Sequence, residues 1–195
     1  MIQRLKRLLS VRGIHYLVTR FGWKKLRSLS FDGKFQRGDW NFNNESPDFV
    51  ALIEKYCSKG KILALGCGTA PISSVLDPAS FEAFVGVDLS NEAIKLASQR
   101  STEKIRFETG DMTKYNFTRK YDVILFSNSL YYVSWYSRKN FLRRLVQNLT
   151  PSGLIIISLA QPDRYAGMLR MIRRNFQIEA DRQLQGGDGH VVIFR

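Results

Sequence analysis

The sequence predicts an α/β fold in which a doubly wound, mostly parallel sheet of seven strands ends in an antiparallel last strand. Three observations carry this reading. From residue 46 onward, short apolar runs alternate with stretches of helical periodicity, which implies right-handed crossovers and a sheet covered on both faces. The first apolar run, 61–65, flows directly into Gly66-Cys67-Gly68. The last two strand-like runs, 176–180 and 191–194, are joined only by Gln185-Gly-Gly-Asp-Gly189, too short a link for a helical crossover.

The elements follow in order. Ser46-Pro47-Asp48 opens a helix to about Tyr56, with Ser46 as N-cap and Pro47 in the first turn. Residues 61–65 and 84–88 are strands, and Ser90 caps a helix through Arg100. Residues 105–108 form a third strand and 121–127 a long apolar fourth. Phe141, Leu142, Leu145, Val146 and Leu149 give 138–149 helical periodicity, and Thr150-Pro151-Ser152-Gly153 stops it. Residues 154–160 are a fully apolar fifth strand, followed by a basic helix near 164–174 and the final pair of strands.

With 195 residues, the chain has room for a single domain with a full core. Residues 1–45 read as a basic helical segment and lid, and 46–195 as the ligand-binding domain. Thirty Lys and Arg against 17 Asp and Glu leave a net charge of +13, which favours acidic substrates or an anionic surface. Residues 1–30 hold eight of these basic residues and no acid. Ile2, Leu5, Leu8 and Leu9 recur there at helical spacing, as in an amphipathic helix packed on the domain or lying on anionic lipid or nucleic acid. An organellar transit peptide is a third reading; a secretory signal is not expected, since no apolar run of that kind follows the basic start. No apolar run approaches a membrane span. Cys57 and Cys67, in contexts that suggest no pairing, point to a reducing, cytoplasmic setting.

The chemistry is expected beyond the carboxyl ends of the strands, where a doubly wound sheet binds its ligand. Glycines at 66 and 68 permit a tight turn and close approach of a ligand to backbone N–H groups. Asp88 ends the second strand 20 residues after Gly68, placed to accept hydrogen bonds from ribose hydroxyls, which together with the turn points to an adenosine-type cofactor. Pro71 stands where a nicotinamide fingerprint needs its third glycine, and no Gly-Lys-Ser/Thr of a phosphate loop occurs.

Taken together, the motifs resemble the class I S-adenosylmethionine (SAM)-dependent methyltransferases, with their Rossmann-like fold. The resemblance rests on Ala64-Leu-Gly-Cys-Gly-Thr-Ala70, Val85-Gly-Val-Asp-Leu-Ser90, Ile105-Arg-Phe-Glu-Thr-Gly-Asp-Met112, the fourth strand with its extension to Val133, and Leu149-Thr-Pro-Ser-Gly153. It implies SAM as cofactor. The backbone around Gly66 and Gly68 would face its methionine portion, Asp88 its ribose, and Asp111 its adenine amino group beside the Met112 backbone. Ser127 and Asn128 would adjoin the methyl group, while Leu65, Cys67 and Leu89 flank these positions and complete the expected cofactor set. Cys67 reads as a filler rather than a nucleophile.

Two positions depart from the family pattern. Ala64 replaces the acid that helps hold the ammonium end of SAM, a contact whose loss costs about 1–3 kcal/mol. Ala70 replaces the last glycine, read as a mild change adding one methyl at a helix start.

Phe35-Gln-Arg-Gly-Asp-Trp-Asn-Phe42 and Ser129-Leu-Tyr-Tyr-Val133 resemble, more narrowly, bacterial small-molecule methyltransferases of sugar or secondary-metabolite biosynthesis. The expected reaction is therefore methyl transfer to an O or N of a small, acidic acceptor, with Trp40, Tyr131 and Tyr132 lining its pocket. A hydroxyl acceptor needs a base. His190, at the start of the last strand, is the candidate, while His15 reads as structural. RNA or DNA methylation is the second reading, and a degenerate SAM-binding scaffold the third. Against the second, the fourth strand lacks an Asn/Asp-Pro-Pro-aromatic ending and no Pro-Cys pair occurs.

Overall fold

A computed structural model of the chain describes residues 31–37, 45–185 and 189–195. Residues 31–36 are helical (α1). The remaining helices are α2 (Pro47–Cys57), α3 (Ile72–Val75), α4 (Asn91–Ala97), α5 (Trp135–Val146) and α6 (Ala166–Asn175). The strands are β1 (Lys61–Leu65), β2 (Ala83–Asp88), β3 (Ile105–Thr109), β4 (Tyr121–Ser127), β5 (Leu149–Leu159), β6 (Ile178–Gln183) and β7 (His190–Phe194). They form one seven-stranded sheet in the order β3-β2-β1-β4-β5-β7-β6. β1 to β5 are mutually parallel, and β7 runs antiparallel to both β5 and β6. This is the expected fold class.

The alternation of side chains along each strand builds a core on either face. On β4, Ile124 and Phe126 join Leu63, Leu65, Ile155 and Ile157 beneath α5 and α6. Val123 and Leu125 turn the other way, with Ile62, Ile156 and Ile193, to meet Phe49, Leu52 and Ile53 of α2. A strand buried on both sides cannot alternate apolar with polar residues, hence the continuous apolar runs in the sequence. Both connections from β1 and β4 leave the sheet in opposite directions, so the strand order reverses between them and a crevice opens at their carboxyl ends.

Several boundaries differ from expectation. Residues 31–36, read as part of a loop or lid, are helical. α5 starts at Trp135 rather than residue 138, because the exposed Trp135 and Tyr136 fall outside its apolar stripe. Thr150-Pro151-Ser152-Gly153 lies inside β5, whose pairing with β4 shifts register between Tyr121 and Val123. The penultimate strand is 178–183 rather than 176–180. α3 and its four residues were too short to show periodicity. Ser46 precedes α2 with extended backbone, but its side chain makes no capping bond; its hydroxyl donates to the Gln185 carbonyl instead. Ser90 does cap α4, accepting the Ala93 N–H at 3.1 Å.

Asp48 on α2 clamps β6. Both its carboxylate oxygens accept from the Arg182 guanidinium at 2.7 and 2.8 Å, and the Gln185 N–H donates to it at 2.8 Å. Arg182 first, then the Gln185 bond, lowers the Asp48 carboxyl from 3.8 to about 2. A depressed folded-state value means this stabilisation is complete above 3.8 and is lost as pH falls through 2. The pair is exposed enough to contribute no more than about 1 kcal/mol. Thermal unfolding followed by circular dichroism from pH 7 to 2 should therefore show Asp48→Asn with a slightly lower midpoint at neutral pH. The variant should also lose less stability than the native chain between pH 4 and 2.

Candidate functional site

The crevice at the β1/β4 reversal deepens into a cavity of about 1000 Å³. The turn after β1 forms one wall. Its backbone is left-handed at Gly66 (φ +68°), Gly68 (φ +56°) and Ala70 (φ +53°), a zigzag that turns the chain at every second residue. Glycine adopts this region at no steric cost, whereas a Cβ costs roughly 1–2 kcal/mol. Ala70 is therefore a strained residue within the turn, not the mild change at a helix start that the sequence suggested. A Cβ on Gly66 would stand 2.6 Å from the Ser129 Cβ, so the turn after β4 packs directly on the turn after β1. The buried Ser129 hydroxyl fixes this contact by donating to the Leu65 carbonyl at 2.6 Å.

The N–H groups of the turn are already used. Those of Gly66 and Cys67 donate to the Val87 carbonyl at 2.8 and 3.1 Å, and Gly68 N–H donates to Asp88 Oδ2 at 2.8 Å. The expected row of free N–H groups is thus absent at these three positions, and the glycines serve close approach instead. Asp88 Oδ1 accepts the Ser90 N–H at 2.9 Å, so the carboxylate ties β2, the turn and α4 together. Burial raises the Asp88 carboxyl above its ordinary range, against the lowering effect of the N–H bonds from Ser90, Gly68 and Leu89. Asp88 nonetheless lines the cavity.

Asp111 follows β3 and faces the same cavity. Its Oδ1 accepts both the Thr113 N–H and hydroxyl, at 2.9 and 2.7 Å, and no described residue bonds its Oδ2. Met112 lies beside it, with Cε 3.7 Å from the position of a Gly66 Cβ. At the end of β4, Ser127 receives a 3.4 Å hydrogen bond from Ser158 and donates to Glu45 at 3.2 Å. Asn128 is left-handed (φ +51°), and its Oδ1 accepts the Ala160 N–H at 2.7 Å, joining the ends of β4 and β5. Leu65, Gly66, Cys67, Gly68, Asp88, Leu89, Asp111, Met112, Ser127 and Asn128, the residues the sequence assigned to the cofactor, all line this one cavity. Burial holds the Cys67 thiol well above its ordinary range, which makes it inert and consistent with a filler.

The opposite wall is aromatic. Tyr131 stacks on Tyr165 with ring centroids 4.4 Å apart, and Tyr132 meets Phe31 edge-on at 5.3 Å. Arg138, buried, donates to the Val133 carbonyl at 2.6 Å and so braces the short turn that carries both tyrosines. Burial pushes the Tyr132 phenol up to about 12 and raises that of Tyr131 further, so neither serves as a base near neutral pH. α1 covers the glycine turn: Phe35 packs its ring edge over Gly68, and Asp32 accepts the Ser90 hydroxyl at 2.5 Å.

His190 lies elsewhere. It is not among the cavity's lining residues, and its Nε2 is 2.6 Å from Asp181, which also holds Arg173. The antiparallel β7 does start at the expected end of the sheet, but one strand beyond β5, where Asp181 of β6 captures the imidazole. Trp40 and His15 lie outside the described residues. Lys34, Glu45 and Arg164 line the cavity without having been singled out from the sequence, because each arrives from a distant loop or helix with no local motif.

These residues fit an S-adenosyl ligand: a cradle without side chains at Gly66 and Gly68, a carboxylate 20 residues on in sequence, and a second carboxylate with one oxygen unbonded by described residues. Comparison with known proteins agrees. Residues 62–153 match the family of methyltransferase domains. A malonyl-[acyl-carrier protein] O-methyltransferase of Ilyobacter polytropus is 33% identical over 108 residues, or 53% of this chain, which spans 40% of that relative's length. The N-methyltransferase NodS of Bradyrhizobium japonicum, solved with S-adenosyl-L-homocysteine (SAH), superposes with a TM-score of 0.67 at 18% identity, covering 85% of this chain and 97% of that one. A TehB-like SAM-dependent methyltransferase from Corynebacterium glutamicum gives 0.64 at 20% identity, covering 86% and 97%. At those identities, the structural likenesses show the fold.

The crowding at Gly66 yields a test. Gly66→Ala should lower stability by about 1–3 kcal/mol in urea unfolding, through both its φ and the Ser129 contact. Gly167→Ala, on α6 with nothing within 4 Å of the new methyl, should be neutral or stabilising by up to about 1 kcal/mol.

Proposed function

We propose that this chain, which belongs to the class I SAM-dependent methyltransferases, methylates an oxygen or nitrogen of a small organic acceptor bearing an anionic group. When bound, SAM would supply an electrophilic methyl group: the acceptor's electron pair would form the new bond to that carbon as the carbon–sulfur bond breaks and SAH leaves. Asp88 would hold the ribose hydroxyls and Asp111 the adenine amino group, while the glycine turn lets the methionine portion lie against the backbone. Phe31, Phe35 and the tyrosine wall exclude water from the space between.

Arg164 carries the acceptor reading. It is exposed on the cavity rim, over the Tyr165 ring at 5.8 Å, and among the described residues its polar partner is the Gln161 side-chain oxygen, to which it donates at 3.5 Å. A guanidinium so placed offers a fork to a carboxylate or phosphate at the mouth. The net charge of +13 draws such acceptors toward the protein. No histidine is among the described lining residues, and both tyrosines are held neutral. An acceptor that arrives with its own electron pair, an ionised carboxylate or a neutral amine, needs no base from the protein. The named activities of the relatives, O-methylation of malonyl-[acyl-carrier protein] in one and N-methylation in another, lie within this range. The cytoplasmic setting stands as part of this proposal.

Release of SAH from SAM, measured against panels of carboxylic acids, amines and neutral sugars, tests the reading. Turnover is expected with acidic or amine acceptors, and turnover confined to neutral sugars would contradict it. For the best acidic acceptor, Arg164→Ala should raise KM about five- to twentyfold with kcat within about threefold, because the residue sits at the mouth and not at the reacting atoms.

A further inference from the structure

Ala64 removes the acid that the family pattern places at the end of β1, but the cavity contains a carboxylate from another source. Glu45, just before α2, lines the same cavity as Ala64. It lies against the carboxyl end of β4, where Ser127 donates to its Oε1 at 3.2 Å. β4 is the immediate neighbour of β1, with Ala64 paired to Leu125. Ser127 is thus two residues beyond the partner of Ala64, so Glu45 is bonded to the end of the strand next to the one that carries the alanine.

The carboxylate is poorly compensated. Among the described residues, no lysine, arginine or histidine forms an ion pair with it, and its one hydrogen bond comes from a neutral hydroxyl that is itself bonded by Ser158. Burial accordingly raises its carboxyl above the ordinary range. A carboxylate removed from water without a cation is costly unless a ligand brings one. SAM carries two cations, the sulfonium and the α-ammonium of its amino-acid end; SAH keeps only the ammonium, and on the assignment above that end would lie against the glycine turn and the end of β4.

We infer that Glu45 is the counter-ion of the cofactor's α-ammonium group, supplied from just before α2 in place of a β1 acid. The inference rests on the assignment of the cavity to SAM. It gives that segment a role in cofactor affinity, and it explains how the turn tolerates an alanine at 64.

The test compares two ligands on the full-length chain by titration calorimetry. SAH carries the ammonium; 5′-methylthioadenosine keeps the adenosine and thioether but lacks the amino-acid end. Glu45→Gln preserves shape and removes the charge. It should weaken SAH binding about tenfold or more while leaving 5′-methylthioadenosine within about twofold of the native chain. Retained binding of 5′-methylthioadenosine also shows that the variant is folded. Equal effects on both ligands, or none on either, would overturn the assignment of Glu45 alone. Failure of the native chain to bind SAH would overturn the cofactor assignment and this inference with it.

Discussion

The Asp88 carboxylate holds the site together. One oxygen accepts the Gly68 N–H and the other the Ser90 N–H, at 2.8 and 2.9 Å, so a single side chain at the end of β2 sets the turn after β1 and the start of α4. Charge-assisted bonds of this kind are stronger than neutral ones, and partial burial makes them hard to replace by water. The zigzag from Gly66 to Ala70 depends on them, since a chain that repeatedly enters left-handed conformations needs outside bonds to stay there. Ser129 secures the same turn from the β4 side through the Leu65 carbonyl. The cavity is therefore shaped by strand ends that hold one another.

Around that centre the molecule adds parts that differ in character. The floor is backbone and carboxylate, suited to a polar nucleoside. The far wall is tyrosine, braced by Arg138 and closed by Phe31. The rim carries Arg164. Such a division lets the binding of one ligand be conserved in form while the wall and rim select the other, which is where fold and specificity part company.

The sheet was legible because its central strands are apolar on both faces. Lys61–Leu65 and Tyr121–Ser127 are bounded by glycine, charge or polar turn residues, and the sequence located them to the residue. Asp88 was legible for a different reason: it ends β2, so its place at the crevice follows from topology, whereas Asp111, two residues past β3, was legible only through the family resemblance. Boundaries failed where local chemistry contradicted the tertiary outcome. Thr150-Pro151-Ser152-Gly153 looks like a stop, yet β5 absorbs it through a register shift against β4. Exposed Trp135 and Tyr136 hid the first turn of α5. Glu45 and Arg164 left no signal, since their approach to the cavity depends on chain paths that one sequence does not encode locally. His190 went the other way. Its position in β7 was right, but Asp181, which also holds Arg173, engages it away from the cavity.

The central claim is that the strand-end cavity organised by Asp88 binds an S-adenosyl ligand. Calorimetric titration of SAH into the native chain and into Asp88→Ala tests it most directly. The account requires saturable binding at one site per chain, lost or weakened at least about tenfold in the variant. No binding by the native chain, or equal affinity in Asp88→Ala, would contradict it.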